Sequence, residues 1–141
     1  MVAKKTWAVM SVLGLNKECL YSYSVGMHYL GFPDLLVIWK DADASEKLVN
    51  ACCLAVIDEG NALVARKPLS GVTKRALIPL DIELNDKIKY TRHALEHYGH
   101  TEYKLQQLVI PNAKGEFPWD LEGREEESER QSLIAKYPTV H

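Results

Sequence analysis

The residues best suited to metal chemistry form the run His93-Ala94-Leu95-Glu96-His97. It matches the H-x-x-E-H pattern of inverted zinc peptidases letter for letter. Histidines four residues apart share a helix face, so His93 and His97 could bind one zinc ion with Glu96 as the general base. His100 is a third possible ligand, but among the downstream glutamates no complementary ligand stands out. The short pattern therefore favours a solvated helix face, and we expect no metal and no cofactor.

Serine chemistry has weaker support in the sequence. Ser22 and Ser24 flank Tyr23, and His28 follows closely. A serine nucleophile needs a base and oxyanion donors positioned by the fold, and the chain has no G-x-S-x-G elbow. We expect these alternating serines to face solvent or a neighbouring strand.

Four basic residues bracket the turn at residues 68–71: Arg66, Lys67, Lys74 and Arg75. Positive charges on a hairpin can hold a phosphate or a nucleotide. They can equally be the exposed ends of two strands, and the sequence leaves both interpretations open. Gly-x-Gly does not occur, so there is no glycine-rich phosphate loop.

The composition excludes several classes of protein. The chain has 141 residues, a net charge of −2 and a pI of about 6.2, which argues against nucleic-acid binding. The longest apolar stretch, residues 51–57, is far below a membrane span. Lys4 and Lys5 lack a following apolar segment, so no signal peptide is indicated. We expect a cytoplasmic protein, or one in the host cytoplasm if it is encoded by a phage.

The cysteine pattern fits the same class of protein. Cys19, Cys52 and Cys53 are an odd number, which argues against a closed disulfide framework. Cys52 and Cys53 are adjacent within an apolar run, where free thiols behave as small hydrophobic side chains. We expect both of them to be buried.

The apolar pattern predicts an α+β fold in one compact domain. The predicted strands are Trp7–Leu13, Leu20–Val25, Leu35–Trp39, Ala62–Ala65, Ala76–Leu84 and Lys104–Ile110. They would form a mixed or antiparallel sheet of about five to six strands with two main helices. Residues 1–123 would make up the domain, and residues 124–141 a charged tail that is helical or disordered.

Local signals mark both predicted helices. Asp43 would cap the first, with Glu46 completing a capping box and Gly60 ending it. The second would start at Asn85 or Asp86 and run to Tyr98.

Two phrases point to a binding surface rather than to a catalytic site. The first is Tyr21-Ser22-Tyr23-Ser24-Val25-Gly26-Met27. The second runs from Gln107-Leu108-Val109-Ile110-Pro111 into Gly115-Glu116-Phe117-Pro118-Trp119-Asp120. A loop that carries Phe, Pro and Trp must either bury its rings, as a clamp on the sheet edge, or offer them to a ligand.

Together the phrases resemble a bacterial and phage family known as domain of unknown function 4262. Its pattern is Y-T-V-G-L, then H-P-E before an apolar strand and a helix, then Q-L-V-W-P-D and G-x-F-P-W-D/E. The similarity covers roughly residues 7 to 121. Phe32, Ile110 and Asn112 stand where the family has histidine, tryptophan and aspartate. Losing that histidine and aspartate favours binding over catalysis, and the resemblance itself implies no activity.

We therefore expect a small binding protein, an accessory or counter-defence factor of a phage or mobile element. It would recognise a small-molecule ligand or a host protein, and it could form a homodimer. The predicted ligand-binding residues are Tyr21, Tyr23, Gly26, His28, Gln107, Phe117, Trp119 and Asp120. They would line one mostly apolar pocket with a few polar groups.

Two alternatives stay open. A small hydrolase or nucleotide-processing enzyme would use His28, Asp34 and Asp120 as acid and base groups, provided that the fold shifts their pKa values. A structural subunit would instead use the same surface as an oligomer contact.

Overall fold

The computed structural model describes residues 7–14, 19–39, 41–112 and 114–120. The predicted tail, residues 124–141, lies outside the described residues. A short 3₁₀ helix, Met27–Leu30, lies between the second and third strands. The main elements in chain order are β1 Ala8–Leu13, β2 Cys19–Val25, β3 Asp34–Val37, α1 Ala42–Glu59, β4 Ile78–Asp81, α2 Leu84–Tyr90, α3 Arg92–Tyr98 and β5 Leu105–Val109.

The five strands form one mixed sheet in the order β1-β2-β3-β5-β4. β2 pairs antiparallel with β1 and with β3, whereas β3 and β5 are parallel and β5 and β4 are antiparallel. This architecture confirms the predicted α+β class and the predicted mixed sheet. Within the described residues no helix is long and apolar enough to cross a bilayer.

The sheet is covered on both faces. Leu35 and Val37 belong to one core cluster together with the apolar side of α1, and Leu36 belongs to a second cluster that includes Ala94 of α3. Alternate strand residues point to opposite faces, so a strand covered on both sides can be apolar throughout. This explains why residues 35–37 of β3 are continuously apolar, as the sequence predicts.

The start of α1 corrects one predicted cap. Asp41, not Asp43, is the N-cap: its Oδ1 accepts hydrogen bonds from the backbone N–H of Asp43 at 2.9 Å and of Ala44 at 3.4 Å. Glu46 does not complete a capping box, because its Oε2 accepts a 2.7 Å hydrogen bond from Ser11 of β1. The predicted end is correct, since Gly60 has a left-handed φ of 73°.

The predicted second helix is broken into α2 and α3 at Thr91, whose φ of −123° and ψ of 55° are not helical. The Thr91 hydroxyl donates to the carbonyl of Lys87 and lies 2.9 Å from the Tyr103 hydroxyl. These buried contacts hold the break. Gly99, with a φ of 75°, ends α3 as predicted.

The segment before α2 is less regular than predicted. No strand is described at residues 62–65, and the backbone N–H of Arg66 donates to the carbonyl of Pro79 at 2.8 Å. The predicted strand Ala76–Leu84 is confined to β4, with Leu84 exposed as the first residue of α2. Local alternation therefore overestimated the length of this strand.

Candidate functional site

A fully buried carboxylate lies at the start of β3. Oδ1 of Asp34 accepts hydrogen bonds from the Ser24 hydroxyl at 2.9 Å and from the Met27 backbone N–H at 3.1 Å. Its Oδ2 accepts a 2.6 Å hydrogen bond from the Tyr98 hydroxyl. Three donors from three parts of the chain therefore converge on one carboxylate.

Burial dominates the ionisation of this group. It raises the pKa of Asp34 to about 6, because the charged form loses its hydration. The three hydrogen bonds and the nearby His97 act in the opposite direction. The pKa of Asp34 therefore lies well above its ordinary value of 3.8.

The Tyr98 hydroxyl connects the carboxylate to the loop after β2. It accepts a 2.5 Å hydrogen bond from the backbone N–H of Gly26 while it donates to Asp34. Burial and the adjacent Asp34 carboxylate both raise the pKa of Tyr98, so its phenol stays neutral and can donate. Because Tyr98 is the last residue of α3, this contact fixes the end of that helix against the start of β3.

Rings of histidine and tyrosine surround the ring of Tyr98. Its centroid lies 5.2 Å from that of Tyr29, 5.3 Å from that of His28, 5.4 Å from that of His97 and 5.9 Å from that of His100. Tyr29 is 60% exposed and His97 is exposed, whereas the other three are half-buried. We call these five residues the aromatic–histidine surface.

The hydrogen bonding of one imidazole of this surface indicates which of its ring nitrogens carries the hydrogen. Nδ1 of His100 accepts a 3.1 Å hydrogen bond from the backbone N–H of Glu102. A nitrogen that accepts cannot carry the proton, so the neutral ring has its N–H at Nε2. The ring of His28 lies 5.2 Å from that of His100. The surface therefore combines ring faces with at least one N–H donor.

The zinc-peptidase pattern does not assemble a metal site. Across residues 7–14, 19–39, 41–112 and 114–120, no three His, Cys, Asp or Glu side chains are grouped so that they could hold a metal ion. His93 and Glu96 are exposed on α3, and His97 contacts the ring of Tyr29. The predicted absence of zinc itself stays a prediction.

The predicted aromatic loop forms a stacked pair. Phe117 and Trp119 have ring centroids 4.9 Å apart and planes within 3° of parallel. Both rings are partly buried against the core cluster that contains Tyr23. Tyr21 stacks on Tyr23 at 6.1 Å, and its hydroxyl donates to the carbonyl of Tyr90 at 2.8 Å. These contacts favour the clamp over the ligand wall, the other alternative that the sequence leaves open.

Two polar residues of the predicted site, Asp120 and Gln107, have structural roles within the fold. Oδ2 of Asp120 accepts a hydrogen bond from the backbone N–H of Phe117 at 2.9 Å, and the Asp120 N–H donates back to the Phe117 carbonyl. Asp120 therefore closes the turn at residues 117–120. Gln107 is fully buried in the centre of β5, paired with Leu36 of β3 and Leu80 of β4.

The directions of β3 and β5 bear on whether the predicted ligand-binding residues share one pocket. Gly26 and His28 follow the end of β2, beside Asp34 at the start of β3. Asp34 also pairs with Leu105, the first residue of the parallel β5, so β5 ends at the opposite end of the sheet. The segment 117–120 follows that opposite end, which favours two separate surfaces over one pocket. Which of these residues contact a ligand stays a prediction.

Sequence reasoning missed the centre of the arrangement. Tyr98 and Tyr29 were not among the candidate residues. Ser24 faces the neighbouring strand β3, which is one of the two predicted orientations: its Oγ is buried, accepts from the backbone N–H of Leu35 at 3.0 Å and donates to Asp34. Asp34 could have indicated this site from the sequence. It directly precedes an apolar run, and a carboxylate buried there needs hydrogen-bond partners.

The basic turn residues, Arg66, Lys67, Lys74 and Arg75, are all exposed. Arg75 lies beside the start of the segment 115–120, because a Cβ added to Gly115 would come within 3.1 Å of Arg75 Nη1. The turn therefore lies at the sheet end from which the segment 117–120 continues. Anion binding at this turn stays an alternative.

The fold and the two phrases agree with the comparison to known families. The family model described as "Domain of unknown function (DUF4262)" matches residues 1–123. The chain therefore belongs to the DUF4262 family, which confirms the resemblance inferred from the two phrases. No curated protein and no solved structure matches the chain.

Proposed function

We propose that this protein binds a small ligand and that the aromatic–histidine surface is its binding site. The observation that carries this proposal is the fixed position of Tyr98. Its hydroxyl is held between Asp34 and Gly26, while its ring lies among His28, Tyr29, His97 and His100. A surface whose central ring is already immobilised loses little conformational entropy on binding.

The chemistry of the surface favours a planar ligand that accepts hydrogen bonds. Tyr29 exposes most of its ring, and aromatic rings gain from stacking or edge contacts with a second ring. The Nε2–H of His100 offers a donor. Heterocycles such as nucleobases combine a ring face with acceptor atoms, so they fit both features. We propose that the protein is an accessory factor of a phage or mobile element. A host protein is the alternative to a small ligand as its binding partner.

Nuclear magnetic resonance can test the proposal directly. Backbone amide spectra would be recorded with a panel of nucleosides, indoles and other heterocycles. We expect one class to shift the resonances of residues 27–30 and 97–102, and Tyr29→Ala to weaken its binding at least about tenfold. Trp39→Ala is the matched control, since it removes another exposed ring at the far end of β3.

Two results would contradict the proposal. One is the absence of any shift at these residues across the panel. The other is equal loss of binding in Tyr29→Ala and Trp39→Ala, because a specific site must distinguish the two rings. Shifts confined to residues 110–120 would instead assign binding to the Phe117 loop.

An acid–base enzyme is the second candidate, and the raised pKa of Asp34 favours it. A group that titrates near pH 6 suits proton transfer near neutral pH. Asp34 is fully buried, so it would act through the Tyr98 hydroxyl, with His28 nearby. Asp120, the third predicted acid–base group, closes the turn at residues 117–120, so we build this candidate on Asp34, Tyr98 and His28.

A screen of phosphoester and N-glycoside hydrolysis would test this candidate. Activity in the wild type that rises with a midpoint near pH 6, and that Tyr98→Phe abolishes, would support it. Full activity in Tyr98→Phe would exclude the role of Asp34 as a relayed base.

A further inference from the structure

The two edges of the sheet differ in how they are protected. β4 carries Pro79 and Asp81, and the N–H of Arg66 donates to the Pro79 carbonyl. Proline, charge and a covering loop are the usual devices that stop an edge strand from pairing with another chain. β1 lacks the first two devices, because its six residues, Ala-Val-Met-Ser-Val-Leu, contain neither proline nor charge.

β1 pairs with β2 along its whole length, and among the described residues no strand lies on its other side. In an antiparallel pair, alternate residues direct their N–H and C=O groups away from the partner strand. β1 therefore presents a row of donors and acceptors that is suited to pairing with another strand. At six residues it is also as long as a typical internal strand.

Helix α1 adds an apolar residue beside one end of this edge. Glu46 bonds to Ser11, and Oδ1 of Asn50 accepts a 3.0 Å hydrogen bond from the Trp7 indole. α1 therefore runs along β1 in the opposite direction. Residues 46, 50 and 54 share one helix face, so Leu54 continues this row beyond Trp7. It is 51% exposed.

Exposed leucines also mark the other end of the edge. Leu13 is 52% exposed and Leu20 is 44% exposed, and the pairing of Leu13 with Cys19 places them close together. Each end of β1 thus carries apolar surface that the monomer leaves open to water.

We propose that β1 pairs antiparallel with β1 of a second copy, which forms a two-fold symmetric dimer with one continuous sheet. Antiparallel pairing brings the Leu13 end of each β1 to the Trp7 end of the other, so Leu13 and Leu20 approach Leu54 of the second copy. Because a two-fold axis perpendicular to the sheet keeps both α1 helices on one side, these contacts form twice. An uncharged strand also places no like charges opposite each other when it pairs with itself.

Sedimentation velocity across about 1 to 200 µM protein would test the dimer. We expect the wild type to dimerise and both Leu13→Lys and Leu54→Lys to weaken the dimer at least about tenfold, since each places a charge in the contact. Val64→Lys is the matched control, because Val64 is 61% exposed in the loop after α1. Circular dichroism would verify that all variants stay folded.

Hydrogen exchange would identify the strand involved. Amides of β1 should become more protected as protein concentration rises, while those of β4 should not change. A monomeric wild type at the highest concentration would overturn the proposal. So would a dimer that both leucine variants leave intact, or protection that rises in β4 instead of β1. Ligand binding at the aromatic–histidine surface does not depend on any of these outcomes.

Discussion

The hydroxyl of Tyr98 and the carboxylate of Asp34, 64 positions apart in sequence, form a 2.6 Å hydrogen bond that joins α3 to β3. The same hydroxyl accepts the backbone N–H of Gly26. One oxygen atom thus satisfies a buried charge and a loop amide together. This pair positions the ring around which the aromatic–histidine surface is built.

Removing that oxygen should destabilise the fold. Tyr98→Phe leaves Asp34 with one donor fewer and Gly26 without its acceptor, and we expect a loss of about 2 to 3 kcal/mol in the free energy of unfolding. Urea titration would measure it. Tyr90→Phe is the control, since Tyr90 is also half-buried but engages Tyr21 through its backbone carbonyl. A loss in Tyr98→Phe no larger than in this control would contradict the assigned role.

The raised pKa of Asp34 predicts a specific pH dependence. The folded state holds the proton up to about pH 6, whereas the unfolded chain releases it at the ordinary value of 3.8. Between these values the folded state binds more protons, so stability falls as the pH rises. The difference corresponds to about 3 kcal/mol, present below pH 3.8 and lost by about pH 6.

Comparison with Asp34→Asn isolates this effect. The variant cannot ionise, so the stability difference between wild type and variant should change by about 2 kcal/mol between pH 4 and pH 7, which is most of the full difference. Chemical denaturation at several pH values would show it. A difference that stays constant across this range would show that Asp34 does not titrate there.

The cysteines of α1 should be inert in the folded protein. Cys52 and Cys53 are both fully buried, and burial raises the pKa of Cys52 to about 12, so almost no thiolate forms at neutral pH. In a Cys19→Ser background, a thiol reagent should modify neither residue until denaturant is added. Rapid reaction of both in the native protein would contradict their burial.

The buried amine of Lys87 should be important for stability. Its Nζ donates to the backbone carbonyls of Thr101 and Tyr103 and lies 4.7 Å from the centre of the Tyr103 ring. Lys87→Met would leave both carbonyls without this donor, at a cost of about 2 kcal/mol. Lys104→Met, which changes an exposed lysine nearby, should have almost no effect on thermal unfolding.

Trp119→Ala distinguishes a clamp from a ligand wall. The stacking of Trp119 on Phe117 against the core predicts that the variant loses about 2 kcal/mol of stability. Trp39→Ala, at an exposed ring, should lose much less. If Trp119→Ala keeps full stability but abolishes binding of a ligand found in the screen, the Phe117 loop is a ligand wall after all.

The sequence by itself determined the features that depend on neighbouring residues. The run at residues 35–37 had no polar alternation, which favours a strand covered on both faces, and Leu36 indeed packs in one core while Leu35 and Val37 pack in the other. Gly60 and Gly99 ended their helices because glycine adopts positive φ without steric cost. The two family phrases identified the family over most of the chain.

Only the tertiary structure decided the features that depend on distant partners. Local patterns predict one helix here, but the helix breaks at Thr91. The Thr91 hydroxyl lies next to that of Tyr103, 12 positions later in the sequence, and helix propensity does not predict this contact. Asp34 contacts Tyr98 because β3 and α3 meet, and the parallel pairing of β3 with β5 directs the end of β5 away from Asp34. Periodicity shows which face of an element is apolar. Which elements become neighbours depends on contacts between residues far apart in sequence.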